Sequence, residues 1–192
     1  MSVVEIETKR LLLRQWKEED LPVFAAINAD SEVMKYYPSV LSAQESNALI
    51  AQFSSKIEER SWGFWAVELL NSKQFIGFIG LNEPGYTLPF SPCVEIGWRL
   101  ARAYWGKGYA TEGAQVSLNY AFSELGLEQV YSFTSVLNKR SLAVMQRLGM
   151  INVDTNFIHP LIAETDPLCE HVLYKITRSQ WKDMKGIGEA KL

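Results

Sequence analysis

Cysteine and histidine are scarce in this chain of 192 residues, at two each. Cys93 and Cys169 stand far apart, a usage that suits a reduced compartment. His159 and His171 have no supporting Cys or acidic cluster around them, so no metal site is expected. No stretch approaches the roughly 20 apolar residues that a membrane helix needs. The opening MSVVEIETKRLLLR has no basic leader followed by a long apolar run, so it does not read as a signal peptide. Charge of one sign is lacking as well: 19 basic residues face 22 acidic ones, for a net charge of -3. A broad attraction to nucleic acid is therefore not expected. Neither GxGxxG nor GxxxxGK[ST] occurs, which sets aside the dinucleotide and triphosphate loops that those glycines build. A soluble cytoplasmic protein with no nucleic-acid or membrane partner is the default expectation.

Apolar residues make up 47% of the chain and charged residues 21%, enough for a sizeable core. Residues 8–15 read as the first strand, and KEEDLPVFAAIN as a helix with acidic residues at its positive end. Ser42 and Glu45 form a capping box that opens a second helix, with Leu49, Phe53 and Ile57 as its buried stripe. Three strands follow in WGFWAVEL, QFIGFIGL and residues 93–100, the first two joined by a turn at NSK. NEPGYTLPFSP, rich in Pro and Gly, is a loop. The helical period over 111–125 places Ala114, Leu118, Ala121 and Leu125 on one face and stops at Gly126. EQVYSFTSV is a strand, and NKRSLAVMQRLGM a short helix capped by Asn138 and stopped by Gly149. INVDTNFI and CEHVLYKIT are the last two strands. No linker or repeat divides the chain. This order predicts one mixed α/β domain of the α+β type over 1–184, with about seven strands in a mixed sheet and about four helices. The tail over 185–192 is expected to fray.

RAYWGKGYATEG carries Gly106 and Gly108 between a strand and a helix. Two readings fit that spacing. One is a sharp turn that buries a tryptophan. The other is a cradle, in which glycine lets successive amides point at a phosphate beside a helix N-terminus, with Lys107 adding a point charge.

Several separated segments in order, TKRLLLRQWKEEDL, VEIGWRLARAYWGKGYATEG, NKRSLAVMQRLGM and NFIHPLIAETDPLCEHVLYKIT, make the chain resemble the GNAT superfamily of acyl-CoA N-acyltransferases. It looks most like the branch of the ribosomal-protein-alanine N-acetyltransferases. The resemblance implies that acetyl-CoA is the co-substrate. The backbone at Trp105, Gly106, Lys107, Gly108, Tyr109, Ala110 and Thr111 would hold its pyrophosphate. The strand backbone at Ile96, Gly97 and Trp98, splayed from VYSFTSV, would bond the pantetheine arm. Asn138 resembles the family asparagine at the thioester end. Arg140 would reach the ribose phosphate or face water. Ala103 departs from the Gln or Arg often found three residues before the first glycine, and Met145 replaces the tyrosine often found seven residues after the asparagine. Ser141 matches the serine of the similar branch.

The implied chemistry is direct attack of a primary amine on the thioester, with no covalent enzyme intermediate. Ser141 is the candidate hydrogen-bond donor to the leaving thiolate; its other reading is a first-turn serine with a local backbone bond. Glu95 and Glu83 compete as proton acceptor, and Glu83 could also contact substrate. Glu112 reads as a helix-start residue whose charge suits the dipole. Tyr37 and Tyr86 lie in segments that could form the acceptor mouth. His159 would line the acceptor pocket or fix a strand end, while His171 reads as packed in its strand. The acceptor is a protein N-terminal amine, or alternatively a small amine or antibiotic. A non-catalytic acyl-CoA-binding domain is the reading from a different class, motivated by Met145. A homodimer is an assembly to test, because symmetric dimers are common.

Overall fold

Leu11 and Leu13 are completely buried, and Arg14 beside them is only 3% exposed. They lie on a short strand that the computed structural model, which describes residues 3–185, pairs on both edges. Two compact units divide the chain: residues up to Asn82 with Ile96–Ser117, and Glu83–Glu95 with the residues from Leu118 onward.

The first unit opens with the antiparallel hairpin of β1 (Ile6–Glu7) and β2 (Leu11–Arg14). The strand expected over residues 8–15 is shorter, Leu11–Arg14. Thr8 instead closes the turn: its Oγ1 accepts from the Leu11 amide at 2.8 Å, and its amide donates to the Leu11 carbonyl at 2.8 Å. Helix α1 (Asp20–Ala29) and helix α2 (Ala43–Arg60) follow. The Ser42–Glu45 capping box is present. The buried positions of α2 are Ser46, Ile50, Phe53 and Ile57, which corrects the expected stripe, since Leu49 is only half-buried. Strands β3 (Phe64–Leu69) and β4 (Phe75–Asn82) form a hairpin, and β3 also pairs antiparallel with β2. Strand β5 (Glu95–Leu100) lies next to β4 and leads through a 3-10 turn, Arg102–Tyr104, to helix α3 (Tyr109–Ser123). Trp16, Phe24, Phe53, Phe64, Phe75 and Phe78 form a continuous ring cluster with centroids 4.7–6.3 Å apart.

In the second unit β6 (Gln129–Ser135) begins opposite Glu95, paired parallel at Tyr131. Helix α4 (Lys139–Arg147) follows its Asn138 cap, and Gly149 at φ 73° supplies the left-handed residue that ends it. The expected single strand over 151–158 is two short ones, β7 (Ile151–Asn152) and β8 (Phe157–Ile158), interrupted where Asp154 takes φ 57°. Both pair antiparallel with β9 (Glu170–Thr177), whose other edge carries β6. Helix α5 (Arg178–Lys185) was not anticipated; Thr177 and Gln180 cap its start, and Trp181 is 3% exposed. Its last residue, Lys185, begins the segment expected to fray, and the remainder of that tail lies outside the described residues. Antiparallel ladders with one parallel pair, nine strands and five α-helices among the described residues make this a mixed fold of the expected class.

Arg14 ties three elements of the first unit together. Its Nη1 and Nη2 donate to the two Asp20 oxygens at 2.7 and 2.9 Å, and its Nε to Glu68 at 2.8 Å. Burial pushes the Glu68 carboxyl up, but the hydrogen bond and charge of Arg14, with Lys17 and Lys73, hold it below its ordinary 4.5. Its stabilising contribution is therefore present above that value and is lost as pH falls through the lower folded value. Asp20→Ala, which strips one counter-charge from a buried arginine, is expected to cost about 3–5 kcal/mol. Urea unfolding at pH 7 measures it, and a loss within experimental error would remove the network from this role.

Candidate functional site

Gly106 and Gly108 have φ of 73° and 81°, a conformation that residues with a side chain resist. A Cβ at Gly106 would meet nothing within 4 Å, so backbone conformation, not crowding, selects glycine there. The segment Gly106–Gly108 is exposed. Trp105 fastens the loop to the end of β5 by donating from Nε1 to the Leu100 carbonyl at 2.8 Å. The expected buried tryptophan of a sharp turn is thus half-buried and hydrogen-bonded. The Glu112 amide donates to Gly108 at 3.0 Å, the first bond of α3. The amides of Tyr109, Ala110 and Thr111 precede it and lack intrahelical acceptors. Left-handed glycines, first-turn amides and Lys107 together have the donor chemistry to fit a diphosphate.

Thr8 and Arg10 brace this loop, and sequence reasoning missed both. Thr8 Oγ1 donates to Glu112 Oε1 at 2.7 Å, the Arg10 amide to the same oxygen at 3.0 Å, and Arg10 Nε to Oε2 at 2.6 Å. Arg10 Nη1 also donates to the Lys107 carbonyl at 2.9 Å, and its guanidinium lies 4.5 Å from the Tyr109 ring. Burial pushes the Glu112 carboxyl up, but the Thr8 and Arg10 bonds outweigh it and hold the group ionised below its ordinary value. Glu112 is therefore more than a dipole partner: it joins two segments about a hundred residues apart.

On β5, Ile96 is buried, whereas Glu95, Gly97 and Trp98 are half-buried. A Cβ at Gly97 would come within 3.2 Å of the Phe64 ring, so glycine lets that ring pack against the strand. The Tyr37 ring lies 4.2 Å from the Arg99 guanidinium.

In the second unit, the Cys93 thiol is pushed up to about 11 by burial and by the charges of Glu95 and Glu83, which puts both competing carboxylates in its surroundings. Asn138 Oδ1 accepts from the Ser141 amide at 3.2 Å, and its Nδ2 donates to Thr134 Oγ1 at 2.9 Å. One Asn138 amide hydrogen remains beyond these two bonds. Ser141 is half-buried, Arg140 is exposed, and Met145 is fully buried. Tyr86 Oη lies 3.1 Å from His159 Nε2. The Leu161 amide donates to His159 Nδ1 at 3.3 Å, which leaves the proton on Nε2 to be donated to Tyr86. His159 also stacks 4.8 Å from His171, within a cluster that includes Phe133 and Phe157. Both histidines are less than 10% exposed, and His171 sits on β9 as expected. Among the described residues no cluster of three or more His, Cys, Asp or Glu could hold a metal, and no helix is long and apolar enough to cross a membrane.

Residues 10–151 match the family model described as Acetyltransferase (GNAT) domain. The chain belongs to the GNAT acetyltransferase family. This GNAT chain is 29% identical over 179 residues to YnaD of Bacillus subtilis (strain 168), named as an uncharacterized N-acetyltransferase, a match covering 93% of this chain and 99% of that protein. A GNAT-family acetyltransferase from Bacillus anthracis superposes with a TM-score of 0.76 at 25% identity, covering 92% of this chain and 99% of that one. Spermidine N-acetyltransferase from Vibrio cholerae, solved with CoA and spermine, shares the fold with a TM-score of 0.70 at 20% identity, covering 91% and 99%.

Glu112→Ala is expected to loosen the glycine loop while leaving the rest of the first unit folded. Amide hydrogen exchange at position 112, whose amide bonds the Gly108 carbonyl at 3.0 Å, should accelerate about tenfold or more, the scale of losing hydrogen bonds to a charged group. Unchanged protection there would show that the loop does not depend on this brace. A second expectation concerns acid. Burial and then the neighbouring charge of His171 lower His159 to about 4 from its ordinary 6.5. Its neutral form is favoured on folding, so its contribution is complete above pH 6.5 and is lost as pH falls toward about 4, an effect of about 3 kcal/mol. His159→Gln should lose less stability than the parent between pH 7 and 4 in urea titrations; an equal loss in both proteins would rule this group out as the acid-sensitive one.

Proposed function

We propose that this GNAT acetyltransferase transfers the acetyl group of acetyl-CoA to a primary amine by direct attack. The observation that carries the proposal is the exposed glycine loop at the start of α3, held open by the Arg10–Glu112 brace. In this reading the backbone amides of Trp105–Thr111 offset the diphosphate charge, with Lys107 beside them. The β5 backbone at Ile96–Trp98 bonds the pantetheine arm, and Asn138 and Arg140 contribute further cofactor contacts. The neutral amine attacks the thioester carbon, the C–S bond breaks, and the amine proton passes through water to Glu95, or to Glu83 in its place. Ser141 donates a hydrogen bond to the sulfur as negative charge collects on it. Tyr37, Tyr86 and His159 are the proposed acceptor-side residues.

The resemblance to ribosomal-protein-alanine N-acetyltransferases points to a protein N-terminal amine, and the structural likeness to a spermidine N-acetyltransferase supports a small amine as the second reading. Thiol release from acetyl-CoA across a panel of peptides and small amines tests the activity. Tight acetyl-CoA binding without release for any acceptor would favour a non-catalytic binding domain. Ser141→Ala keeps the amide that Asn138 caps, so the helix start survives the change. It is expected to lower kcat about tenfold to a hundredfold with little change in the KM for acetyl-CoA. An unchanged rate when chemistry is limiting would remove Ser141 from the mechanism.

A further inference from the structure

Arg99 is the unusual cation of the first unit. Its Nη1 donates to Asn28 Oδ1 at 2.7 Å, and Asn28 Nδ2 in turn donates to Ser46 Oγ at 2.8 Å. Asn28 and Ser46 are both 0% exposed. The guanidinium lies 4.2 Å from the Tyr37 ring centroid and 5.5 Å from that of Phe78. Its position is thus fixed by a buried amide on one side and aromatic rings on others. Arg14 has Asp20 and Glu68, and Arg10 has Glu112, but no carboxylate pairs with Arg99 among the described residues. Its Nε is buried and has no acceptor. A guanidinium partly withdrawn from water without a counter-charge costs free energy, and a ligand that brings the charge removes that cost.

Arg99 also lines a cavity of about 450 Å³, together with Met34, Tyr37, Leu41 and Leu49. Glu45 lines the same cavity, but its Oε2 already accepts from both the amide and the hydroxyl of Ser42, where it holds the start of α2. The depression is open to solvent, and Ser39 and Glu45 join the guanidinium among otherwise largely apolar lining residues. Arg99 and Gly97 lie two residues apart on β5 and share a face, about 7 Å along the strand.

We propose that Arg99 binds a carboxylate on the acceptor, which favours the small-amine reading over the protein N-terminal amine and makes the acceptor a small α-amino acid with an apolar side chain. The planar guanidinium suits a bidentate grip on a carboxylate, and Met34, Leu41 and Leu49 accommodate the side chain. This rests on the reading of β5 as the strand along which the acetyl donor lies.

Calorimetric titration of the intact protein with N-acetylleucine and with N-acetylleucinamide tests the proposal without requiring turnover. The acid is expected to bind at least about tenfold more tightly than the amide. Arg99→Gln should erase the difference, and Arg99→Lys, which keeps the charge but loses the fork, should retain part of it. Equal affinity for acid and amide in the parent protein, no measurable binding of the acid, or a preference that survives Arg99→Gln would each overturn it. The parent comparison decides the matter even if a variant fails to fold. Acid-selective binding combined with no thiol release for any amine would leave the carboxylate site standing and count against acetyl transfer. Turnover of amino acids and their amides at equal kcat/KM would do the reverse.

Discussion

Arg14 is 3% exposed, and its charge is tolerated only because Asp20 and Glu68 reach it from α1 and β3. That neutralisation fixes β2 against its neighbours and sets where the first helix begins. The same hairpin extends the principle outward. Four residues earlier, Arg10 leaves the core and meets Glu112, so one end of the hairpin anchors the core while the other shapes the glycine loop. Arg14 is withdrawn from water with two carboxylate partners, and Arg10 meets Glu112 at the surface. Arg99 is the third, with an aromatic face and a buried amide but no carboxylate of its own.

The glycine loop illustrates how backbone conformation and long-range contacts divide the labour. Positive φ at Gly106 and Gly108 creates the curve, the start of α3 supplies unpaired amides, and Trp105 and Arg10 hold the curve at either side. None of the amides needs a particular side chain. Ala103, which departs from the usual family pattern, therefore leaves the backbone part of the arrangement intact.

Two titratable groups of the second unit, Cys93 and His159, sit where burial keeps them neutral. Cys93 is held as a thiol by desolvation and two nearby carboxylates, and His159 is held as a neutral imidazole by desolvation and His171. The Tyr86–His159 contact joins the Pro-rich loop to the segment after β8. Asn138 shows a residue serving structure and leaving capacity for more: it caps α4 and bonds Thr134, with one amide hydrogen to spare.

Features set within about four residues were legible in the sequence. The Ser42–Glu45 capping box, the Asn138 cap and the stop at Gly149 need only a neighbouring amide or a positive φ, both of which residue type dictates, whereas α3 already ends at Ser123, short of the stop expected at Gly126. The glycine loop and the order of most elements were legible for the same reason. The split of residues 151–158 and the helix after Thr177 were not, because short strands and a terminal helix draw their stability from β9 and the buried Trp181. Thr8 and Arg10 with Glu112, Asn28 with Arg99, and Tyr86 with His159 were decided only by the tertiary structure. Each joins residues more than seventy positions apart, and a hydrogen bond at such separation is fixed by strand register and helix packing, which no local pattern encodes.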